Sequence, residues 1–461
     1  MKKYIVIKKK SSIIINKEQQ KWIKKMNTAR KISFSREIPL RYETDVFIAG
    51  GGPAGAAAAI AAARQGGSVF LAEGHSCFGG MGTAGLVPWF CNFTDGINFL
   101  AGGIGKEIFD KMGYELGKTP AINAELLKRV YDELITAAGV LFNFHTQLID
   151  VQRDEKNISL AICNSKNGIF AVKAKVFIDC TGDGDLAAMA GAAFEKGDAD
   201  ATLMPGTLCS LWCNVDWKNR SADHHKMLEK AFADGVFSIP DRHVPGMASF
   251  GHGVAGANIG HVYDLDGTDD ESITKGLLRG RKILPEFERY YKEYLKGYEN
   301  MTLVSSGSLL GIRETRRIKG DYEMTLDDFK KRASFDDEIG RFSYPVDIHP
   351  NKNDIASYQH FREEITGFRH KQGENYGIPY RALVPKDLDN ALVAGRCIST
   401  DRYMQSSIRV MPGCFITGQA AGTAASILAQ TNGKKTAHDI DTKLLQKKLK
   451  ELGAYLPNFQ D

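Results

Sequence analysis

Two hydrophobic rhythms run along the chain. "DVFIA" (45–49) and "SVFLA" (68–72) are short, nearly unbroken apolar runs, the pattern of strands buried on both faces of a parallel sheet. Between them "AGAAAAIAAARQ" (54–65) predicts a helix made almost wholly of small residues. Farther on, "GVLFNFHTQLIDVQRDEKNISLAICNSKNGIFAVKAKVFIDCTGDGD" (139–185) breaks into several strands with Gly or Asn turns, the last of them running into "TGDGD". "NALVAGRCIS" (390–399) repeats the format of an apolar strand opening into Gly and a polar residue, and "RVMPGCFITGQAAGTAASILAQ" (409–430) predicts a second Gly/Ala-rich helix. The stretch 194–375 departs from this format with mixed strand and helix, including "LLRGRKILPEFERYYKEYL", and reads as a separate domain. The predicted fold is therefore α/β, a three-layer Rossmann-like domain of residues 42–193 and 376–432 with an inserted mixed α+β substrate domain at 194–375. A helix from "DTKLLQKKLKELG" and a tail (433–461) pack outside, and residues 1–41 form a basic arm.

Composition narrows the class. With 461 residues, 43% hydrophobic and 25% charged, the chain has material for two domains, and its apolar stretches are too short or too broken by charge for a membrane span. The net charge of +5 is concentrated: residues 1–41 hold ten Lys and three Arg against Glu18 and Glu37, which leaves the remainder near −6. A main body of that sign does not favour nucleic acid. In the arm, "YIVI" and "IIIN" predict a small hairpin and "KEQQKWIKKMNTAR" a short basic helix. Eight scattered cysteines form no CxxC pair and no metal or cluster spacing, so they read as small buried hydrophobes in a reducing, cytoplasmic setting, with no metal site expected.

The glycines between the first strand and helix carry the chemistry. Gly50, Gly52 and Gly55 form GxGxxG in the setting that gives the motif meaning: strand before, helix after, then a second strand ending in Glu73, a carboxylate placed to accept the hydroxyls of an adenosine ribose. Gly52 lets the backbone approach a pyrophosphate whose charge faces the helix N-terminus. A second copy of the spacing, Gly251, Gly253 and Gly256 in "SFGHGVAGANIGHVYDLDG", follows no buried strand and precedes no clear helix. It is expected to be no phosphate loop. Because matching segments occur at the start, middle and end of a long chain, the ligand is extended, which favours FAD over NAD.

Taken together, "GGGPAGAAAAIAAARQG", "FGGMGTAGLV", "FIDCTGDGDLAAMAGA", "LGIRETRRIKGDYEMT", "YGIPYRALVPKDLDNALVAGRCIS" and "SIRVMPGCFITGQAAGTAA" resemble the FAD-dependent oxidoreductase family of the glutathione-reductase superfamily, in its fumarate-reductase-like and amine-oxidase-like branch. The likeness covers about residues 40–432. It implies that Gly50, Gly52, Pro53, Ala54 and Gly55 meet the pyrophosphate and Glu73 the ribose, while Gln147 lies where adenine is contacted. Gly79, Gly80, Met81, Gly82 and Thr83 would pass the ribityl chain and flavin, Thr181, Gly182 and Asp183 would close the pyrophosphate side, and Gly395, Arg396 and Cys397 would approach from the returning segment. The helix opening near Gly418 would aim its N–H groups at the flavin pyrimidine ring. His75 and Cys77, and Asp401, Arg402 and Tyr403, depart from the family's usual residues.

For the reaction itself the sequence offers candidates only. Arg409, directly before the flavin-facing helix, is the first choice for orienting an anion or stabilising reduced flavin, and His252, in a polar run with His243, His261 and Asn258, is a candidate general base. Arg313, Arg316 and Arg317 read either as an anion grip or as ion pairs with Glu314. The expected function is FAD-dependent hydride transfer between a small-molecule substrate and flavin N5. The alternative is an electron-transfer subunit that docks a redox partner protein.

Overall fold

The C-terminal ends of five parallel strands meet along one edge of a sheet, and that edge organises the molecule. In the computed structural model, which describes residues 32–118 and 120–460, β1 (Leu40–Ala49) lies between β2 (Val69–Ala72) and a long strand that ends at Asp179. Strand β3 (Leu141–Asn143) flanks β2; β4 (Gln147–Asp154) and β5 (Asn157–Ser165) form an antiparallel meander that runs into β6 (Gly168–Asp179). The register places Val46 opposite Val69 and Val176, and Ala49 opposite Ala72 and Asp179. The returning strand Ala391–Val393 pairs with the last turn-ward residues of β6, Leu392 opposite Ile178. Residues 50–55, 73, 181–183 and 395–397 therefore all leave the same edge, the position at which open α/β sheets bind ligands.

Two helices of small residues cover this sheet. Helix α1 (Pro53–Arg64) and helix α2 (Met411–Gln430) are buried on almost every side, and their glycines explain why. A Cβ on Gly418 would stand 2.1 Å from the Ala54 carbonyl oxygen, and one on Gly422 would stand 2.1 Å from that of Ala58. Backbone meets backbone, so only glycine fits at these two crossings. This corrects the expectation for Gly418. The helix opens at Met411, with Pro412 in its first turn, and Gly418 lies two turns inside as a packing residue against α1.

A second core gathers at Leu208, Trp212, Phe287, Tyr290, Tyr291, Met301 and their neighbours. It is built from a four-stranded antiparallel sheet in the order Thr302–Ser306, Ser210–Cys213, Val254–Ala257, Met247–Gly251, with the helix Asp270–Tyr294 packed on it. Within the 194–375 stretch, Ile318, Met324, Phe342 and Ile348 instead belong to the first core, and Glu338–Phe342 pairs with Tyr376–Pro379. The helix Thr442–Glu451 buries Leu445 and Leu449 against the first core. The chain divides into the units Met1–Ile38 and Pro39–Asp461; the hairpin and basic helix expected in the arm lie outside the described residues. Among the described residues no helix is long and apolar enough to cross a membrane.

Candidate active site

Each glycine of the first motif has its own physical reason. Gly50 sits at φ +90°, and a Cβ there would press on the Cys180 carbonyl at 2.7 Å. Gly55 is tighter, since its Cβ would fall 1.8 Å from the Gly50 carbonyl oxygen, so the helix can lean on the turn only without a side chain. Gly52 has nothing within 4 Å of where its Cβ would be, although its φ of −64° suits any residue. The turn is thus crowded on the protein side and open at its middle, the shape that admits a pyrophosphate against the first N–H groups of α1.

Glu73 is held ready beside it. The buried carboxylate accepts from the Gly51 N–H at 2.6 Å and from the His75 N–H at 2.7 Å, one bond to each oxygen, which fixes its plane and leaves lone pairs for ribose hydroxyls. Gln147 begins β4, and a Cβ on Gly74, the residue after Glu73, would stand 3.4 Å from its Cγ. The Gly79–Thr83 loop docks onto the turn through the Gly79 N–H and the Gly51 carbonyl, 2.9 Å apart, and Gly80 lies against Gly52 and Pro53. Thr83 ties the loop to itself by donating to the Phe78 carbonyl at 2.5 Å, and Met81 reaches across to Gly311. His75 is exposed, and Cys77 is buried with its thiol 3.7 Å from Thr83 Oγ1.

On the far side of the edge, side chains expected to face a ligand are engaged with protein. Arg396 donates to the Gly182 carbonyl, to the Ile312 carbonyl and to Asp183 Oδ1, and Thr315 also donates to Asp183. The Arg396 side chain therefore clamps the Thr181–Asp183 turn to the 312–316 segment, which leaves backbone as what these residues offer a cofactor. Thr181 Oγ1 donates to Asp179, whose buried carboxyl is pushed up to about 6 by its loss of water. Gly395, at φ +83°, packs on Ala54, and Cys397 is fully buried. Asp401 caps its helix through the Met404 N–H.

The charged candidates sort cleanly. Glu314, buried at 1% exposure, pairs with Arg317 at 2.9 Å and with Arg402 at 3.1 Å, and Arg316 pairs with Asp185 at 2.7 Å. Arg313 turns the other way, its Nη1 on the Pro205 carbonyl and its Nη2 3.3 Å from His243 Nε2. Arg409 is held by Asp347, 2.9 Å from Oδ2. Burial and the neighbouring Arg409 pull Arg313 down to about 10. His252 is corrected by the structure: it is the exposed residue between Gly251 and Gly253 at the tip of a β-hairpin, at φ +48°, and belongs to the turn. The histidines that do converge are His243, His261 and His349, whose ring nitrogens lie within 4.8 Å of one another. Neither His349 nor Asp241 nor Asp347 was singled out from the sequence. Their signal is a repeated Asp-x-His, "DRH" at 241–243 and "DIH" at 347–349.

The closest pair, His261 Nε2 and His349 Nδ1, is 2.8 Å apart. That is a hydrogen bond. Two nitrogens each 2.0–2.1 Å from one tetrahedral ion stand about 3.3 Å apart, and Arg313 is already turned onto His243. Around the same arginines Arg409 Nε, Gln405 Oε1 and Asn258 Oδ1 are buried with no hydrogen-bond partner among the described residues.

A sheet edge with this glycine turn, buried acid and small-residue helix pair has the form of a dinucleotide-binding edge. The model of the FAD dependent oxidoreductase family matches residues 45–449, and the chain belongs to that family. Its cofactor is FAD. No curated protein matches the sequence. Among solved structures it is similar to a geranylgeranyl bacteriochlorophyll reductase-like protein from Thermoplasma acidophilum, with 12% identity over 89% of this chain and 83% of that one and a TM-score of 0.44. It is also similar to p-nitrophenol 4-monooxygenase from Pseudomonas putida, with 11% identity over 88% and 84% and a TM-score of 0.44. A third is anhydrotetracycline hydroxylase from Streptomyces rimosus, with 11% identity over 89% and 66% and a TM-score of 0.41.

Proposed function

We propose that this protein transfers hydride between a small organic substrate and FAD, with the substrate held near Arg409 and the start of α2. The observation that carries the reading is the placement of a half-buried arginine immediately before a helix whose first N–H groups have no partner within the helix. The N-cap is Val410, no side chain caps it, and the Met411 and Gly413 N–H groups have no carbonyl four residues back within the helix. Bound there, FAD supplies a two-electron acceptor. The protein's part is to hold it through Gly50–Gly55, Glu73 and the 79–83 loop, and to answer negative charge at the pyrimidine end with the helix dipole and the Arg409 guanidinium. Asp347 fixes Arg409 through one nitrogen, which keeps the unpartnered Nε for another acceptor. Gly418 backs this arrangement indirectly by seating α2 on α1.

The test is an anaerobic titration of the purified, FAD-loaded protein with hydroxy acids, alcohols, amines and unsaturated acids. Bleaching of the flavin band by one class supports the reading. A flavin that no small molecule reduces, but that a redox protein does, replaces it with an electron-transfer subunit.

A further inference from the structure

A string of hydrogen bonds through two histidines ends with two acceptors facing each other. Asp241 accepts the backbone N–H groups of His243 and His261, at 3.0 and 2.5 Å, and the Tyr263 hydroxyl at 3.4 Å. Burial opposes its charge, yet the facing His261 and these donors hold the carboxyl below its ordinary value. Loss of water pulls both His261 and His349 down, so each ring carries a single hydrogen. An ionised carboxylate only accepts, so His261, with Nδ1 3.1 Å from Asp241 Oδ1, is protonated on Nδ1 and bare on Nε2. His349 Nδ1, 2.8 Å from that bare nitrogen, must donate to it. The His349 Nε2 is then bare as well, and it stands 3.5 Å from Asp347 Oδ1. Neither side brings a hydrogen to this contact.

Asp347 lies beside Arg409 and the start of α2. Its Oδ2 accepts from Arg409 at 2.9 Å, its backbone carbonyl accepts from the same guanidinium at 3.1 Å, and its N–H donates to Ser406 Oγ at 2.9 Å. Two residues past Arg409, Met411 meets the 79–83 loop, where a Cβ on Gly82 would stand 2.8 Å from its Sδ. Cys91 and Tyr344 also face Asp347; loss of water pushes the thiol up to about 11 and the phenol well above its ordinary value, so both are uncharged neighbours. The Asp347 side chain is 27% exposed, so a molecule lying against Arg409 can reach it. Loss of water outweighs the opposing pull of Arg409, Arg313, His261 and Arg369 and leaves the carboxyl above its ordinary value. His349 is displaced the other way, well below its ordinary value, by loss of water and by Arg313, His261 and Arg409.

We propose that Asp347 is the general base of the flavin reaction and that His349 shares the proton it takes. The inference rests on the hydride-transfer reading above. In the oxidation the substrate C–H bond breaks and its electron pair passes with the hydrogen to FAD, the oxidant. The substrate O–H or N–H bond breaks, its proton goes to Asp347 Oδ1, and the carbon–oxygen or carbon–nitrogen double bond forms. The new carboxyl O–H donates to His349 Nε2, and the contact closes toward ordinary hydrogen-bond length. Two acceptors held together bind one proton more tightly than either does alone, because the proton turns a repulsion into a bond. Oδ2 stays on Arg409 throughout. His349, His261 and Asp241 are positioning residues: Asp241 fixes the tautomer of His261, and His261 fixes that of His349.

Two measurements on the FAD-loaded protein decide this. The first is a pH titration by NMR with nitrogen-15 in the histidines and carbon-13 in the aspartate carboxyls. Asp347 should take its proton above the ordinary carboxylate range, and in the same step His349 Nε2 should change from a bare nitrogen to a hydrogen-bonded acceptor without gaining a proton of its own. The second is anaerobic stopped-flow reduction by hydroxy acids, alcohols and amines. The base works ionised, so the wild-type rate should fall as pH drops through the Asp347 titration. Asp347→Asn, which still offers Arg409 an oxygen, should slow reduction by about a hundredfold or more and remove that fall, with flavin content unchanged. His349→Asn keeps a donor toward His261 and deletes Nε2, so it should move the fall to lower pH by about one unit, a tenfold loss of proton affinity. If Asp347→Asn does not hold FAD, that shift in His349→Asn decides. An imidazolium at His349 beside an ionised Asp347, or an Asp347 titration to which His349 Nε2 does not respond, overturns the sharing. Wild-type rate and pH dependence in Asp347→Asn overturn the base and leave flavin oxidation standing. A flavin that no small molecule reduces removes the underlying reading and the base with it.

Discussion

Gly50, Gly52 and Gly55 share their spacing with Gly251, Gly253 and Gly256, yet the two runs do opposite work. In the first, the outer glycines are pressed against backbone carbonyls, at 2.7 Å for Gly50 and 1.8 Å for Gly55, and the middle one faces open space. In the second, Gly251 and Gly253 take φ of +85° and +77° to turn a hairpin between Met247–Gly251 and Val254–Ala257. Gly256 is there because the Phe250 ring and Pro88 would each meet a Cβ at 2.7 Å. The spacing is common to both; the backbone around it is not. A phosphate cradle needs immovable carbonyls that force a bare backbone toward an empty middle, and a hairpin needs only the left-handed conformation.

Alanine at matched positions separates these two roles. The largest effect is expected at Gly55→Ala, where a Cβ 1.8 Å from a carbonyl oxygen forces α1 off the turn. Overpacking against backbone that cannot swing aside costs about 3 kcal/mol, read by denaturant unfolding. FAD should be lost with it. A variant as stable as the wild type would mean that the helix and turn do not touch as described.

Gly52→Ala should do the reverse. Its backbone suits alanine and nothing stands within 4 Å, so unfolding should move by no more than about 0.5 kcal/mol. The methyl group points where the pyrophosphate needs room, so FAD affinity should fall at least tenfold, about 1.4 kcal/mol. Flavin retained at wild-type affinity would move the pyrophosphate away from this face.

What was legible beforehand follows the same division between local and distant order. The glycine turn and Glu73 fall within one unbroken strand–helix–strand, so adjacent residues specify one another and their meeting at the sheet edge reads directly from the chain. The histidine string does not. Asp241 and His349 lie more than a hundred residues apart, and neither segment has a reason to meet the other until both cores have formed. The engagement of the Arg396 side chain was hidden for a related reason: its partners, Gly182, Ile312 and Asp183, arrive from two other segments. At Gly418 the sequence contained the better signal. Pro412 belongs in the first turn of a helix, which places the opening near Met411 and leaves Gly418 deep inside.

The smallest effect, and the sharpest control, is Gly251→Ala. No atom lies within 4 Å of the new Cβ, so no packing is disturbed, and the whole cost is that of holding an L-residue at φ +85°. That strain amounts to about 1 kcal/mol. It should appear as a modest loss in unfolding free energy, and Gly251→Asn should recover part of it, because asparagine tolerates the left-handed region better than alanine does. FAD per chain should stay at the wild-type value in both variants, since this hairpin belongs to the second sheet and none of its glycines leaves the sheet edge that carries the first motif. Loss of flavin in Gly251→Ala at undiminished stability would show that the second glycine run also touches the cofactor, and the distinction between the two copies would then fail where it is most exposed.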